Sequence, residues 1–385
     1  MLRSLFSGIS GLQAFQEMLD VTGDNIANVD TVGYKSSGVI FEDTLSQLIK
    51  GASAPQGGTG GSNPAQIGLG VSVAGIDQNF SQGASQSTGR STDLMIQGDG
   101  FFQVAENGQQ YYTRAGSFSF DANGTLVTPD GAEVQGWSAG ANGVVNTNGP
   151  TGNITLPVNT ELAPVVTANA TLGGNLNSAD PVGTSVAQSV TMYDTQGNAE
   201  QVTLTFTKTD TNTWSMDVAD ANNDYGTQTV TFDGSGNLTS ATPMTFTPSW
   251  SNGASVNLNM TGVTQYAGDD TVEVSNQDGS ASGTLQSFLL SSDGTIVGVF
   301  SNGLKQNVGQ IALATVNNPE GLESVGNSLY QTTSNSGLAQ VGIAGSGGRG
   351  TLASGMLEMS NVDLAQEFTN LIVAQTTLEI SHLCL

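Results

Sequence analysis

The sequence predicts a mainly β fold with helical termini: the N- and C-terminal helices pair as a coiled coil, and nested β domains lie between them. Apolar residues recur at helical spacing near the start of the chain and again after Ser360. Between these ends, short runs of alternating apolar and polar residues are separated by the turn dipeptides Asp99-Gly100, Asn107-Gly108, Asn123-Gly124 and Asp130-Gly131, the pattern of antiparallel strands. The order is helix, loop, β, inserted β, β, helix. Such nesting brings the termini together and lets the middle of the chain project outward.

Composition limits what such a fold does. At 385 residues the chain exceeds the roughly 100–200 of a typical domain, so two or three units with their own cores are expected. Charged residues make up 11%, against about 25% in ordinary soluble proteins, so the surface is built from Ser, Thr, Asn, Gln and the 51 Gly. With 8 Lys+Arg against 33 Asp+Glu, the net charge of −25 opposes nucleic acid and anionic membranes. One Cys excludes an internal disulfide framework, and one His excludes histidine-rich metal sites and disfavours a histidine-based triad. No catalytic, cofactor-binding or metal-binding residues are nominated. The start has no uninterrupted apolar core or small-residue cleavage site, and no run reaches the ~20 apolar residues of a membrane span. Neither a cleaved signal peptide nor membrane insertion is expected.

In chain order, Leu2, Leu5, Ile9, Leu12, Leu19 and Ile26 recur at spacings that form a seam, with a polar gap at Gln16, and place an N-terminal coiled-coil helix in 1–30. Residues 31–75 read as a joint or linker region: Phe41, Leu45 and Leu48 predict a short second helix, followed by the Gly-rich loop GASAPQGGTGGSNPAQIGLG. From about Leu69 the period becomes two, and residues 76–149 with 285–350 are expected to form a discontinuous inner β domain. The stretch SAGANGVVNTNGPTGN marks the boundary to an inserted outer β domain over 150–284. There Val202, Leu204 and Phe206 share one face of a strand, as do Trp214, Met216 and Val218, and Val230 and Phe232. Residues 351–385 are read as the C-terminal helix. Ser360 or Asn361 caps it, Asp363 sits in the first turn, and Leu364, Phe368, Leu371 and Ile372 form its stripe.

Two motifs have simpler explanations than ligand binding. Gly345, Gly347 and Gly350 satisfy G-x-G-x-x-G, but too few residues follow for the βαβ unit that a dinucleotide needs, so a glycine-rich loop is the better reading. Asp220, Asn222 and Asp224 have calcium-loop spacing, but the glycine comes one position late and Thr231 stands where a bidentate Glu is required. A β-turn is expected there.

The segments SGISGLQAFQEMLDVTGDNIANVDTVGYKSSGVIFED, DLMIQGDGFFQV, YYTRAGSFSFDANGTLVTPDG and GMLEMSNVDLAQEFTNLIVAQ together closely resemble the bacterial flagellar axial proteins of the rod and hook. VAQSVTMYDTQGNAEQVTLTFTK is similar to the insert of the hook members. The resemblance implies a structural subunit that polymerises into the curved hook tube between basal-body rod and filament; a rod subunit or a secreted β-rich adhesin is the alternative. It implies as partners further copies of the chain, the rod, hook-cap and hook–filament junction proteins, and the flagellar type III export apparatus. The implied location is outside the cell, in the hook and basal body. Carried over by position, the coiled-coil contacts are Leu5, Ile9, Leu12, Leu19 and Ile26 against Leu364, Phe368, Leu371 and Ile372. Asn25, Asn28, Gly33 and Tyr34 form the link from helix to joint, and Phe41 and Leu45 match an export signal. After Gln375 the sequence TTLEISHLCL departs from the relatives, and a truncated or altered helix is expected there. Such a helix from Ser360 to Gln375 is about 24 Å long against about 40 Å for its partner.

Overall fold

The computed structural model describes residues 2–55, 60–140, 143–158 and 161–383. The chain is mainly β, with the helix α1 (Leu2–Ala27) packed against the helix α2 (Leu364–Leu383). It divides into two compact units: Met1–Leu156, Leu289–Val297 and Asn307–Leu385 form the first, and Pro157–Phe288 with Gly298–Gln306 form the second. The return to the first unit is thus interleaved, because Gly298–Gln306 joins the second.

In the first unit, α1 lies on the strands Ser37–Asp43 and Val71–Gln78 as well as on α2. It contains Gly8, Gly11 and Gly23, each of which weakens intrinsic helix propensity by about 1 kcal/mol relative to Ala. Its persistence therefore rests on tertiary packing, which includes the Phe15 and Phe41 rings at 5.6 Å between centroids. The short helix expected at Phe41, Leu45 and Leu48 is instead a strand pairing. Ser37–Asp43 runs antiparallel to Val71–Gln78, and Ser46–Lys50 antiparallel to Ala65–Gly68, making one long ribbon. Val39, Ile40, Phe41 and Ile49 favour strands, and a period-two partner lies downstream in register; together these override a chance helical spacing. The Gly-rich loop is the ribbon's far end, with 56–59 outside the described residues.

The main sheet is built on the hairpin Phe101–Glu106 and Gln109–Thr113, whose turn places Asn107 and Gly108 at φ 52° and 80°, as a two-residue turn of this hand demands. Glu133–Ser138 flanks Phe101–Glu106, Lys305–Ile311 flanks Glu133–Ser138, and Leu329–Gln331 flanks Gln109–Thr113. Phe101, Tyr112, Ala314, Leu322 and Tyr330 form one buried cluster. The segment grouped with the C-terminal helix from 351 begins as strands ahead of that helix: Thr351–Ser354 pairs with Leu94–Gln97 and Met356–Glu358 with Ser85–Ser87. The loop with Gly345 and Gly347 wraps the Arg349 side chain, whose Nε donates to the Ile343 carbonyl at 3.0 Å.

The second unit holds two four-stranded sheets. One is Met244–Phe246, Val256–Thr264, Asn169–Asn175 and Glu273–Gln277, with a single parallel pairing; the other is Ser185–Tyr193, Ala199–Asp210, Thr213–Ala219 and Asp224–Thr231, all antiparallel. Val202, Leu204, Phe206, Trp214, Met216, Val218, Val230 and Phe232 lie in one core with Leu172, Val256 and Leu258. The calcium-like segment is a turn in which Asp220 Oδ1 accepts from the N–H groups of Asn222 and Asn223. Among the described residues, no group of three or more His, Cys, Asp or Glu is placed to hold a metal ion.

Repeated Asp-capped turns tie the strands. Asp121, Asp194 and Asp233 each accept, through Oδ1, the backbone N–H groups two and four residues on. The Asn237 backbone and side chain hold the Asp233 carboxyl below its usual range. At Asp194 partial burial pushes upward, but hydrogen bonds from Asn198, Gln196 and Gly197 outweigh it and the net direction is again down. Asp180 and Asp217 are raised, chiefly by burial, and oppose the effect. For the lowered groups the unfolded chain protonates first. Their contribution is complete above the ordinary carboxylate range near pH 3.9 and is lost as the pH falls below it. Replacing Asp194 and Asp233 together by Asn, which keeps an acceptor, is expected to flatten the acid-side fall in melting temperature between about pH 6 and pH 2; an unchanged slope counts against this account.

Candidate assembly interface

The helices meet the β unit at a set of buried polar side chains. Glu358 ends the strand Met356–Glu358 and is fully buried, as is the side chain of Lys35. Lys35 Nζ donates to Glu358 Oε1 at 2.6 Å and to the Ser81 carbonyl at 2.7 Å, and Gly83 N–H donates to Oε1 at 2.9 Å. Arg114 Nη1 reaches Oε2 at 3.4 Å while its guanidinium lies over the Phe101 ring. Burial lowers both cations from their usual range, and the Glu358 carboxylate counters it. One carboxylate thus ties the segment after α1, the strand before α2 and the main sheet.

The link residues after α1 converge on the same place. Gly33 has φ +70°, and a Cβ there would stand 2.5 Å from the Ala115 nitrogen, so glycine is required by conformation and by space. Its N–H donates to the Glu358 carbonyl at 2.8 Å. Tyr34 O–H donates to Asp24 Oδ2 at 2.9 Å and to Asn25 Oδ1 at 3.2 Å; burial, then the Asp24 hydrogen bond, raises its ionisation well above the usual tyrosine range. Asn28 Nδ2 donates to Asp24 Oδ1, and Asn28 Oδ1 accepts from Thr31. The structure therefore brings Asn25, Gly33 and Tyr34 together, with Asn28 closing the last turn of α1.

At the start of α2 the capping residue is Asp363, whose Oδ1 accepts from the N–H groups of Ala365 and Gln366 at 2.9 and 3.3 Å. Ser360 and Asn361, expected as caps, lie outside the helix. Asn361 is a clamp: its Nδ2 donates to the Asn79 carbonyl at 2.7 Å and its Oδ1 accepts from Ser36 N–H at 2.8 Å.

The helix pair departs from the expected aliphatic seam. Its buried residues are small or polar: Ala14, Thr22 and Asn25 on α1, Glu367 and Ala374 on α2. Asn25 Nδ2 donates to Glu367 Oε1 across the pair at 3.2 Å. Leu12, Leu19, Ile26 and Leu371 are half-buried, whereas Leu5, Ile9, Leu364, Phe368 and Ile372 are exposed, the last two at 50% and 59%. Within one chain the pair covers its large apolar side chains only in part. Phe41 packs on α1 and Leu45 is 83% exposed, so the two share no helical face.

Nor does the helix end at Gln375. It runs on to Leu383, with Thr376 and Thr377 donating through Oγ1 to the Val373 carbonyl, which lets two weak helix formers stay in the helix. The His382 side chain and Cys384 fall outside the described residues.

Sequence reasoning missed Lys35, Arg114 and Glu358, although they stand in the quoted segments VGYK, YYTR and GMLEMSN. In a chain with 8 Lys+Arg, a cation flanked by aromatic or apolar residues was the available signal. Glu358→Gln leaves two buried cations facing a neutral group, and a loss of about 3–5 kcal/mol is expected in urea unfolding of the first unit. A loss under about 1 kcal/mol, as for an exposed pair, would show that the cluster is not buried in solution.

Comparison with known proteins gives four family matches: the flagella basal body rod protein model over residues 5–35, the flagellar hook protein FlgE/F/G D1 domain over 95–169, the flagellar basal body protein FlaE D2 domain over 161–280, and the flagellar basal body rod FlgEFG protein C-terminal model over 353–381. The last extends past Gln375, to residue 381. The flagellar hook protein FlgE of Borreliella burgdorferi is 37% identical, covering 97% of this chain and 94% of its own. That of Salmonella typhimurium is also 37% identical, with the same coverage. The flagellar basal-body rod protein FlgG of Bacillus subtilis is 34% identical, covering 97% and 90%. The crystal structure of Helicobacter pylori flagellar hook protein FlgE2 shares the fold at a TM-score of 0.57 and 14% identity, covering 71% of this chain and all of that one.

Proposed function

This chain belongs to the family of flagellar rod and hook proteins, and from that premise we propose that it polymerises with its own copies into the curved tube that joins rod to filament. It is a structural subunit of the flagellar hook, with a mechanical rather than a catalytic task. The observation that carries the polymer is the apolar surface left open on both helices and on the ribbon: Phe6 is 67% exposed, Phe368 50%, Ile372 59%, Leu45 83%, Leu48 55% and Ile49 64%. Covering such side chains stabilises association by roughly 25 cal/mol per Å² removed from water. The reading extends to rod, hook-cap and junction proteins at the ends of the tube.

It also extends to delivery of the chain in an unfolded state through the flagellar type III apparatus, without a cleaved signal peptide. In that state Phe41 is free of Phe15, and Phe41 with Leu45 is available as a recognition signal. The double change Phe41→Ser and Leu45→Ser is expected to hold the chain inside the cell in a fractionation assay; unaltered export removes the signal assignment.

The polymer is tested by electron microscopy of the purified chain assembled in vitro. Curved tubes are expected, and Phe368→Ser with Ile372→Ser is expected to abolish them while shifting the melting of the soluble chain by no more than about 0.5 kcal/mol, as for exposed positions. Normal tubes from that variant, or none from the unaltered chain, overturn the reading.

A further inference from the structure

We infer that the Asn25–Glu367 hydrogen bond sets the axial register of α1 against α2, and that this register decides which apolar surface each copy offers to the next; the second half rests on the polymer reading above. Asn25 is 1% exposed and Glu367 9%. Among the described residues Glu367 enters no ion pair, and the hydrogen bond its carboxylate receives comes from Asn25 Nδ2. The donor is itself held fast. Asn25 Nδ2 also donates to the Ser37 carbonyl at 2.8 Å, and its Oδ1 accepts from Ser37 N–H at 2.9 Å and from Tyr34 O–H.

The remaining buried residues of the helix pair discriminate poorly between registers. Ala14, Thr22 and Ala374 are small, and Leu5, Ile9, Phe368 and Ile372 are 36–59% exposed rather than buried in the pair. Sliding α2 by one residue displaces it by about 1.5 Å, and by one turn about 5.4 Å. A one-turn slip carries the Glu367 carboxylate away from its donor and leaves it buried without that hydrogen bond, whereas the small residues Ala14, Thr22 and Ala374 offer little to resist the slip. One buried polar pair in an otherwise permissive helix contact is a known way to fix register.

Three variants separate this role from a general loss of stability. Asn25→Asp sets two carboxylates against each other. Asn25→Asp with Glu367→Gln removes the facing carboxylates and lets the amide donate across the pair in the opposite sense, while the lost donor to the Ser37 carbonyl is not replaced. Glu367→Gln alone keeps an acceptor for Asn25. In the full-length soluble chain, Asn25→Asp is expected to speed amide exchange across 364–383 by roughly tenfold or more, with the double variant recovering part of that change and Glu367→Gln staying within about twofold of the unaltered chain. In assembled tubes, Asn25→Asp is expected to change the helical twist measured by electron microscopy or to stop assembly, and Glu367→Gln to keep the original twist.

Unaltered exchange in Asn25→Asp, a double variant no better than the single, or tubes of unchanged twist from Asn25→Asp each overturn the inference. Unaltered amide exchange in the main-sheet hairpin 101–113, which is in the same unit but away from both residues, shows that the first unit of each variant is folded. If the unaltered chain forms no tubes, the polymer reading falls and the choice of surface falls with it; the exchange data still decide the register.

Discussion

The fully buried Glu358 carboxylate is the constraint on which the terminal architecture depends. A buried charge is tolerated only when it is paired and hydrogen-bonded, and here that requires Lys35, Arg114, Gly83 N–H and the strand Met356–Glu358 to occupy their places at once. Such a cluster adds little net stability compared with an apolar core of the same volume. Its value lies in specificity, since alternative arrangements of the two chain ends leave a charge without a partner. Because Gly33 donates to the Glu358 carbonyl, the turn leaving α1 is placed by the same residue.

From that junction the two helices are held at their bases by polar contacts. Asn361 clamps the approach to α2, Asn25 reaches across to Glu367, and Tyr34 O–H donates to Asn25 Oδ1. The apolar side chains of both helices are left for other surfaces. A subunit that closed its own seam would have less to offer a neighbour, so an incompletely buried helix pair suits a polymer better than a self-sufficient coiled coil.

How much of this was legible in the sequence depends on the range of the interaction that decided each element. The second unit's strands were readable because burial follows the period of two: Val202, Leu204 and Phe206 face one core, and Thr203 and Thr205 face away from it. Both helices were readable from their spacing, and α2 as far as Gln375. The ribbon at 37–78 was misread because Phe41, Leu45 and Leu48 fit a helical period by coincidence, while their strand partners lie up to about thirty residues downstream. The buried cluster was invisible for the same reason, since Lys35 and Glu358 are 323 positions apart and no local pattern couples them. The seam residues were named correctly as apolar, but periodicity alone does not say whether the face they make is covered by the same chain or by another.

The wide separation of Lys35 and Glu358 has a mechanical meaning. The segments 2–34 and 359–383 lie outside the loop that this ion pair closes, and everything between them, including the whole second unit, lies inside it. A force between the two helices therefore has a route that does not cross the loop, through this bridge and through the Gly33–Glu358 and Asn25–Glu367 hydrogen bonds beside it. The inserted unit lies off that route.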